Sequence, residues 1–123
     1  MSAINLGEME SRFAEIIWEN PDIPSGELVK LCAEKLDWKK STTYTMLRRL
    51  CEKGIFINDN GTVRCLISKE QLAAMKSEEL LKESFGGSLP RFFAAFADRK
   101  KINSKELDEI QQMIDSYRKD NGL

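Results

Sequence analysis

The stretch WKKSTTYTMLRRLCEKG, residues 38–54, predicts a helix with two chemically different faces. At about 100° per residue, one side collects side chains that can be buried: Thr43, Met46, Leu47 and Leu50. The opposite side collects hydroxyl, phenol and guanidinium groups: Ser41, Tyr44, Thr45, Arg48 and Arg49. Groups of this second kind bond to phosphates and to base edges in a DNA groove. We therefore interpret this stretch as a DNA recognition helix.

The distribution of charge supports this interpretation, although the whole chain carries a formal net charge of only −1. Residues 1–37 hold three basic and eight acidic side chains, whereas residues 38–67 hold six basic and two acidic ones. Residues 68–123 hold ten of each sign. Because binding responds to the field within a Debye length of about 8 Å, the basic segment can attract a polyanion despite the near-neutral total. The alternative is that these charges only solvate the surface.

Length and composition limit the class of protein. A chain of 123 residues forms one domain or two small modules and is too short for a multi-domain enzyme. The chain contains no run of about 18 apolar residues, the length that a transmembrane helix needs. Its N-terminal stretch MSAINLGEME lacks the cationic and apolar regions of a secretory signal. We therefore expect a cytoplasmic protein without a membrane span.

The lack of histidine and the wide spacing of Cys32, Cys51 and Cys65 argue against catalysis and metal binding. Histidine is the commonest general base, and an odd cysteine set without a CxxC pair fits neither a disulfide framework nor a zinc site. Cys32 and Cys51 fall at apolar positions of helical segments, which indicates buried small hydrophobes. We predict no cofactor, no metal and no enzymatic activity.

Two further helices precede the recognition helix. The segment Gly7–Trp18 has apolar residues at helical spacing: Met9, Phe13, Ile16 and Ile17. Prolines within residues 20–24 break this helix, and Ser25 is placed to cap a second one that runs to about Leu36. A short turn then leads into the third helix. Two amphipathic helices joined by so short a turn indicate a helix-turn-helix.

A β-hairpin is predicted directly after the recognition helix. Gly54 ends the helix, and two β-prone runs, residues 55–57 and 62–67, flank the turn cluster at residues 58–61. Three helices followed by a hairpin make a winged helix, with Thr62 and Arg64 placed on the wing to meet a phosphate. The predicted fold class is mainly α with a small β-hairpin, and residues 1–67 form the DNA-binding domain.

Residues 68–123 are predicted to form a helical dimerisation domain. Ser68 with Gln71 and Asn103 with Glu106 have the spacing of capping boxes, and a short helix follows Pro90. Apolar residues of these helices form the predicted dimer contacts: Leu72, Met75, Leu80, Leu81, Phe85, Leu89, Phe92, Phe93, Phe96, Leu107, Ile110, Met113, Ile114 and Tyr117. Roughly 55 residues cannot enclose such stripes alone, so we expect a homodimer. The alternative is that these helices fold back on the first domain.

A two-fold dimer fixes the geometry of its target, double-stranded DNA. Two recognition helices must enter successive major grooves, so the operator should be an inverted repeat with half-sites about 10 bp apart or a multiple of that. Base edges would meet Ser41, Thr42, Tyr44, Thr45 and Arg48. Phosphates would meet Lys39, Lys40, Arg49, Thr62 and Arg64.

Several segments resemble the BlaI/MecI/CopY family of winged-helix repressors, the penicillinase-repressor type. These segments are the first-helix pattern ending in Ile17-Trp18, Trp38 with residues 41–50, Lys53-Gly54, residues 85–89 and residues 103–114. The resemblance implies a homodimeric repressor that an inducing signal releases from DNA. Family members commonly carry Ser-Pro-Lys where this chain has Lys39-Lys40-Ser41, which makes Ser41 a candidate N-cap.

The resemblance also suggests how release occurs. In penicillinase-type members a signalling protease cuts an Asn-Phe bond in the dimerisation half, and the aligned bond here is Ala95–Phe96. Copper-responsive members bind metal through C-terminal CxC motifs, which this chain lacks. Two other functions stay open on the sequence alone. One is a winged helix that binds a partner protein, and the other is a redox- or ligand-sensing regulator using Cys32, Cys51 or Cys65.

Overall fold

The computed structural model describes residues 4–123, so the first three residues of the stretch considered for a signal sequence lie outside it. In that range six helices and three short strands follow one another: α1 Glu8–Glu19, β1 Ile23–Pro24, α2 Ser25–Leu36, α3 Lys40–Glu52, β2 Phe56–Asp59, β3 Thr62–Cys65, α4 Lys69–Phe85, α5 Leu89–Arg99 and α6 Ser104–Asp120. The chain divides into two compact units, and the division falls within α4, between Leu80 and Leu81. None of the described helices combines the length and apolar character that crossing a bilayer requires.

The first unit is a winged helix whose core lies between α1, α2, α3 and the sheet. Phe13, Leu28, Leu50 and Phe56 are all fully buried or nearly so. The predicted apolar face of α3 is confirmed, because Thr43, Leu47 and Leu50 are the buried residues of that helix. Among residues 4–123, Thr43 is the one buried polar residue, and its hydroxyl donates to the carbonyl of Lys39 over 3.3 Å.

The predicted hairpin is present, but its first strand extends to Asp59, its second strand ends at Cys65, and its turn is tighter than the sequence indicated. β2 and β3 are antiparallel, and Asp59 pairs with Thr62. Only Asn60 and Gly61 form the loop, with φ of 51° and 89°. Two consecutive residues with positive φ are typical of a type I′ turn, whose twist matches that of paired strands. The Asn58 side chain closes the turn by accepting from the Gly61 amide at 3.0 Å.

A third strand was not predicted. Residues 20–24 were interpreted as a helix break, but Ile23 and Pro24 pair with Val63 and Thr62, which gives the strand order β1-β3-β2. The amide of Ser25 adds a bond of 2.7 Å to the carbonyl of Gly61. A two-residue strand that contains a proline has no periodicity of its own, so only its distant partner reveals it.

Two predicted helix caps are wrong. α2 begins at Ser25 itself, with Pro24 in the N-cap position, so the Ser25 hydroxyl is not used as a cap. That hydroxyl instead accepts a hydrogen bond of 3.1 Å from the Tyr44 phenol. α3 begins at Lys40, which places Ser41 inside the helix and Lys39 in the N-cap position without a side-chain cap.

An ion pair with a half-buried carboxylate joins the first turn of α1 to the C-terminal end of α3. The Glu10 carboxylate accepts from the Gly7 amide at 2.8 Å and from Lys53 Nζ at 3.0 and 3.1 Å. Lys53 Nζ also donates to the carbonyl of Asn5 at 2.8 Å. The Gly7 amide lowers the pKa of Glu10, and Lys53 and Arg49 act in the same direction against the opposing effect of burial. Glu10 is therefore held ionised by groups from both helices.

The start of α4 belongs to the first unit. Ser68 and Gln71 form the predicted capping box, since each backbone amide donates to the other residue's side-chain oxygen at 2.9 and 3.0 Å. Trp18 Nε1 donates to the carbonyl of Ile67 at 3.0 Å, and Lys69 Nζ donates to Glu15 at 2.7 Å. These bonds hold the segment after β3 against α1.

The second unit has a different character, because no residue within Leu81–Leu123, all of which the structure describes, is buried. α5 begins at Leu89, capped by Ser88, whose hydroxyl accepts from the Arg91 amide at 3.2 Å. Asn103 caps α6 by accepting from the Glu106 amide at 2.8 Å. Phe92 packs between Phe85 and Phe96, with ring centroids 5.4 and 5.9 Å apart. This small aromatic cluster remains half-buried or exposed.

The Glu10 cluster makes stability depend on pH. We expect Glu10→Gln to lower the free energy of unfolding by about 1–2 kcal/mol near neutral pH, because Lys53 loses a charged acceptor. The folded-state pKa of Glu10 lies below its ordinary value of 4.5, so the stabilisation is present above that value and is lost as pH falls through the folded pKa.

Urea unfolding followed by tryptophan fluorescence measures this difference, since Trp18 and Trp38 both lie in the first unit. The gap between wild type and Glu10→Gln should shrink when the titration is repeated at a pH of about 3. Glu8→Gln is the matched control, since Glu8 is exposed in the same helical turn. A gap of equal size at both pH values would show that the carboxylate charge does not stabilise the fold.

Candidate nucleic-acid interface

The polar face of α3 is accessible along the first three turns of the helix. Ser41, Thr42, Thr45 and Arg48 are all exposed, and Lys39 and Lys40 are exposed where the helix begins. The opposite face is anchored in the core through Thr43, Leu47 and Leu50. Burial of that face fixes the rotation of the helix, so the polar side chains point together into solvent.

The beginning of α3 is electrostatically suited to an anion. The first turn contains no acidic residue, and no side chain caps its free amides. Lys39 and Lys40 add positive charge at the end of the helix where the macrodipole is already positive. Cations there are unfavourable unless an anion approaches, and a phosphate group is the usual ligand of free helix amides. This end of α3 therefore fits a backbone phosphate.

Tyr44 is not on the exposed face of α3, where the helix periodicity placed it. It is half-buried against the core, and its hydroxyl donates to Ser25 Oγ at 3.1 Å. This hydrogen bond joins α3 to α2, the other helix of the helix-turn-helix. We therefore assign Tyr44 to the positioning of α3, because its hydroxyl already has a partner and its ring is partly covered.

Half of the six basic side chains in residues 38–67 are close to carboxylates. Lys53 and Arg49 lie 3.0 and 4.0 Å from Glu10. Arg64 lies between Asp22 and Asp59, at 3.1 and 3.2 Å. Among the residues that the structure describes, Lys39, Lys40 and Arg48 form no such pair. The positive charge available to a ligand is therefore concentrated on the start and middle of α3.

Sequence reasoning missed the two aspartates beside Arg64. The hairpin register does contain a signal for Asp59, because Ile57 pairs with Arg64 and Asp59 is the next residue on the same side of β2. Nothing in the local sequence indicates Asp22, which reaches Arg64 only through the unpredicted pairing of β1. Thr62 is half-buried within β3, so Arg64 is the more exposed of the two predicted wing contacts.

The three cysteines have different environments. Cys32 is buried and Cys51 is half-buried, and burial raises the pKa of both thiols. A raised pKa keeps a thiol protonated and therefore weakly nucleophilic, which disfavours a redox role for these two. Cys65 is exposed at the end of β3, where its thiol lies 2.9 Å from the carbonyl of Ile67. No group of three potential metal ligands occurs within residues 4–123.

Most of the apolar residues predicted to form dimer contacts are uncovered within one chain. Exposed members are Met75, Leu80, Leu89, Phe93, Phe96, Leu107, Ile110, Met113, Ile114 and Tyr117. Leu81, Phe85 and Phe92 are half-buried. Leu72 is the exception and corrects the prediction, because it is only 3% exposed and is covered by its own chain. The candidate cleavage bond, Ala95–Phe96, lies inside α5 between two exposed residues.

Comparison with known proteins extends over both units. The sequence model described as penicillinase repressor matches residues 6–116 of the 123 residues. The chain is also similar to a Latilactobacillus sakei protein described as an uncharacterized 16.5 kDa protein in the ptsI 3′ region. The two are 24% identical over 103 residues, which is 80% of this chain and 70% of that protein. Since the family match runs from the residues before α1 into α6, the chain belongs to the penicillinase repressor family.

Proposed function

We propose that this DNA-binding transcriptional repressor acts as a homodimer on an inverted-repeat operator. The observation that carries the proposal is the exposed face of α3. There Lys39, Lys40 and Arg48, which form no ion pair within the described part of the chain, stand beside Ser41, Thr42 and Thr45. Cations and hydroxyls on the outer face of the second helix of a helix-turn-helix have the chemistry of a major-groove contact.

The side chains divide into two roles by their place on α3. Lys39 and Lys40 sit beside the uncapped amides and set the register of the helix on a phosphate. Arg48 lies two turns further along, where a guanidinium can bond to both acceptors of a guanine. Ser41, Thr42 and Thr45 lie on the same exposed face and meet other base edges. Arg49 is a weaker phosphate contact because Glu10 shares its charge.

The exposed apolar surface of the second unit supports dimerisation. Met113 is 70% exposed and Tyr117 is 64% exposed, although both lie on the apolar side of α6. A unit of 43 residues without a buried side chain cannot be stable through its own packing. A second copy related by a two-fold axis covers these faces and places two α3 helices on one side of the duplex.

Release from the operator follows from the same surface. A signalling protease that cuts Ala95–Phe96 would divide α5 and separate Phe92 from Phe96, which pack together. The bond lies within a helix, so the protease must first unwind α5 locally. Loss of the dimer would then leave single recognition units with too few contacts to hold the operator. Mass spectrometry of the protein after challenge of cells with a β-lactam tests this step, since only intact chain would contradict it.

Two substitutions on α3 separate base recognition from phosphate binding. With a duplex selected from a random pool, we expect Arg48→Ala to cost about 1–3 kcal/mol of binding free energy and to relax the selected sequence. Lys40→Ala should weaken binding to all sequences and lower the salt slope by about one. Fluorescence anisotropy at several salt concentrations measures both effects.

Lys119→Ala is the matched control, because Lys119 is exposed at the end of α6 and lies outside the winged helix. It should bind like wild type. Wild-type affinity and selectivity in both α3 variants would show that this face does not contact DNA. Such a result would favour a winged helix that binds a protein partner.

The dimer is tested on α6. Sedimentation analysis of wild type at micromolar concentration should give about twice the chain mass of 14.1 kDa. Ile114→Glu should shift the protein toward the monomer, because a charge would be placed in the apolar interface. Asp115→Asn, at the next exposed position, should leave the mass unchanged. A wild-type monomer at this concentration would contradict the proposed dimer.

A further inference from the structure

Arg64 occupies an unusual place for an arginine that is expected to touch DNA. It lies on β3, the central strand of the sheet, and receives a carboxylate from each side. Arg64 Nη1 is 3.1 Å from Asp22 Oδ1, and Arg64 Nε is 3.2 Å from Asp59 Oδ2. Two of the three guanidinium nitrogens, Nη1 and Nε, thus already have a carboxylate contact.

The strand register makes this arrangement a property of the sheet. Ile23 pairs with Val63, so Asp22, the residue directly before β1, lies alongside Arg64. Asp59 is the last residue of β2 and lies diagonally across from Arg64. Asp22 is held in the left-handed region with φ of 58°, directly before β1. Both carboxylates are therefore positioned by backbone pairing and do not depend on one another.

We propose that Asp22 and Asp59 compete with DNA phosphates for Arg64 and so lower the affinity of the wing for non-operator DNA. The inference rests on the proposed DNA-binding function. Carboxylate and phosphate oxygens accept the same guanidinium hydrogens, so Arg64 gives up one partner to gain the other. The three side chains are 50–66% exposed, and ion pairs this exposed are weak enough to exchange with a phosphate.

This competition separates two kinds of binding. On non-operator DNA the wing gains little, because a phosphate that binds Arg64 replaces a carboxylate contact that Arg64 already has. On an operator, α3 holds the wing beside the backbone, and the exchange occurs within an already formed complex. The aspartates then act as specificity-determining residues, although they contact no base.

A cycle of variants tests the proposal against simple repulsion between aspartate and DNA. The proteins are wild type, Asp22→Asn/Asp59→Asn, Arg64→Ala, and the triple variant. Asparagine is nearly isosteric with aspartate, and it tolerates the positive φ at residue 22. The probe is a 30-bp duplex of scrambled sequence, and binding is measured between about 50 and 200 mM salt, the range over which counterion release changes the affinity of phosphate contacts.

We expect the double aspartate variant to bind this duplex about three- to tenfold more tightly than wild type, with a salt slope steeper by about 0.9. Arg64→Ala alone should change little, and in the triple variant the gain should be largely lost. Glu34→Gln, which removes an exposed charge from α2, should give no gain that depends on Arg64. If Arg64→Ala unfolds at a lower temperature than wild type, Arg64→Gln replaces it in the cycle.

Three results would overturn the proposal. An equal gain with and without Arg64 would show that the aspartates act by repulsion alone. The absence of any gain would show that the ion pairs only join β1 to the hairpin. If all four proteins are folded but none binds DNA, the proposed function is overturned as well. The wild-type measurement alone distinguishes this outcome from the other two.

Discussion

Burial of one face of α3 is the constraint on which the rest of the first unit depends. Leu47 and Leu50 are nearly or fully enclosed, and Thr43 is enclosed with its hydroxyl bonded to the Lys39 carbonyl. Within the described residues, every buried side-chain polar atom has a hydrogen-bond partner. Burial of this face of α3 therefore leaves no polar group unsatisfied. The buried face fixes the rotation of the helix about its axis, so the opposite face is presented at a defined angle. Side chains that recognise base edges must be held at such an angle.

The cations of residues 38–67 fall into two groups, those that form ion pairs within the fold and those that do not. Lys53 is bonded to Glu10 and to the carbonyl of Asn5, so it stabilises the junction of α1 and α3. Arg64 is shared with Asp22 and Asp59. Lys39, Lys40 and Arg48 keep their charge for a ligand. A count of charges along the chain therefore overstates the field available to DNA, because the paired cations are screened by carboxylates, and two of these, Glu10 and Asp22, are counted in residues 1–37.

The sequence predicted what depends on local spacing and missed what depends on distant pairing. The apolar face of α3, the Ser68–Gln71 capping box and the Asn103 cap follow from side chains within four residues, and the structure contains all of them. The turn was expected from the cluster at residues 58–61, and the structure places it at Asn60 and Gly61. β1, the Tyr44–Ser25 bond and the Arg64–Asp22 pair join residues 19 to 42 positions apart, and neither helical nor strand periodicity contains that information.

The two units differ in how their apolar residues are used, and this difference links stability to function. The first unit encloses Phe13, Leu28 and Phe56 within one chain, so the DNA-binding surface is formed before any partner arrives. Leu72, which periodicity assigned to the dimer face, is also enclosed, because the start of α4 belongs to this unit. The second unit leaves its apolar residues uncovered, so its order should depend on a second copy. Under the proposed function, folding of the second unit is therefore coupled to dimerisation and so to the binding of two half-sites. A cut in α5 would weaken both without altering the α3 surface.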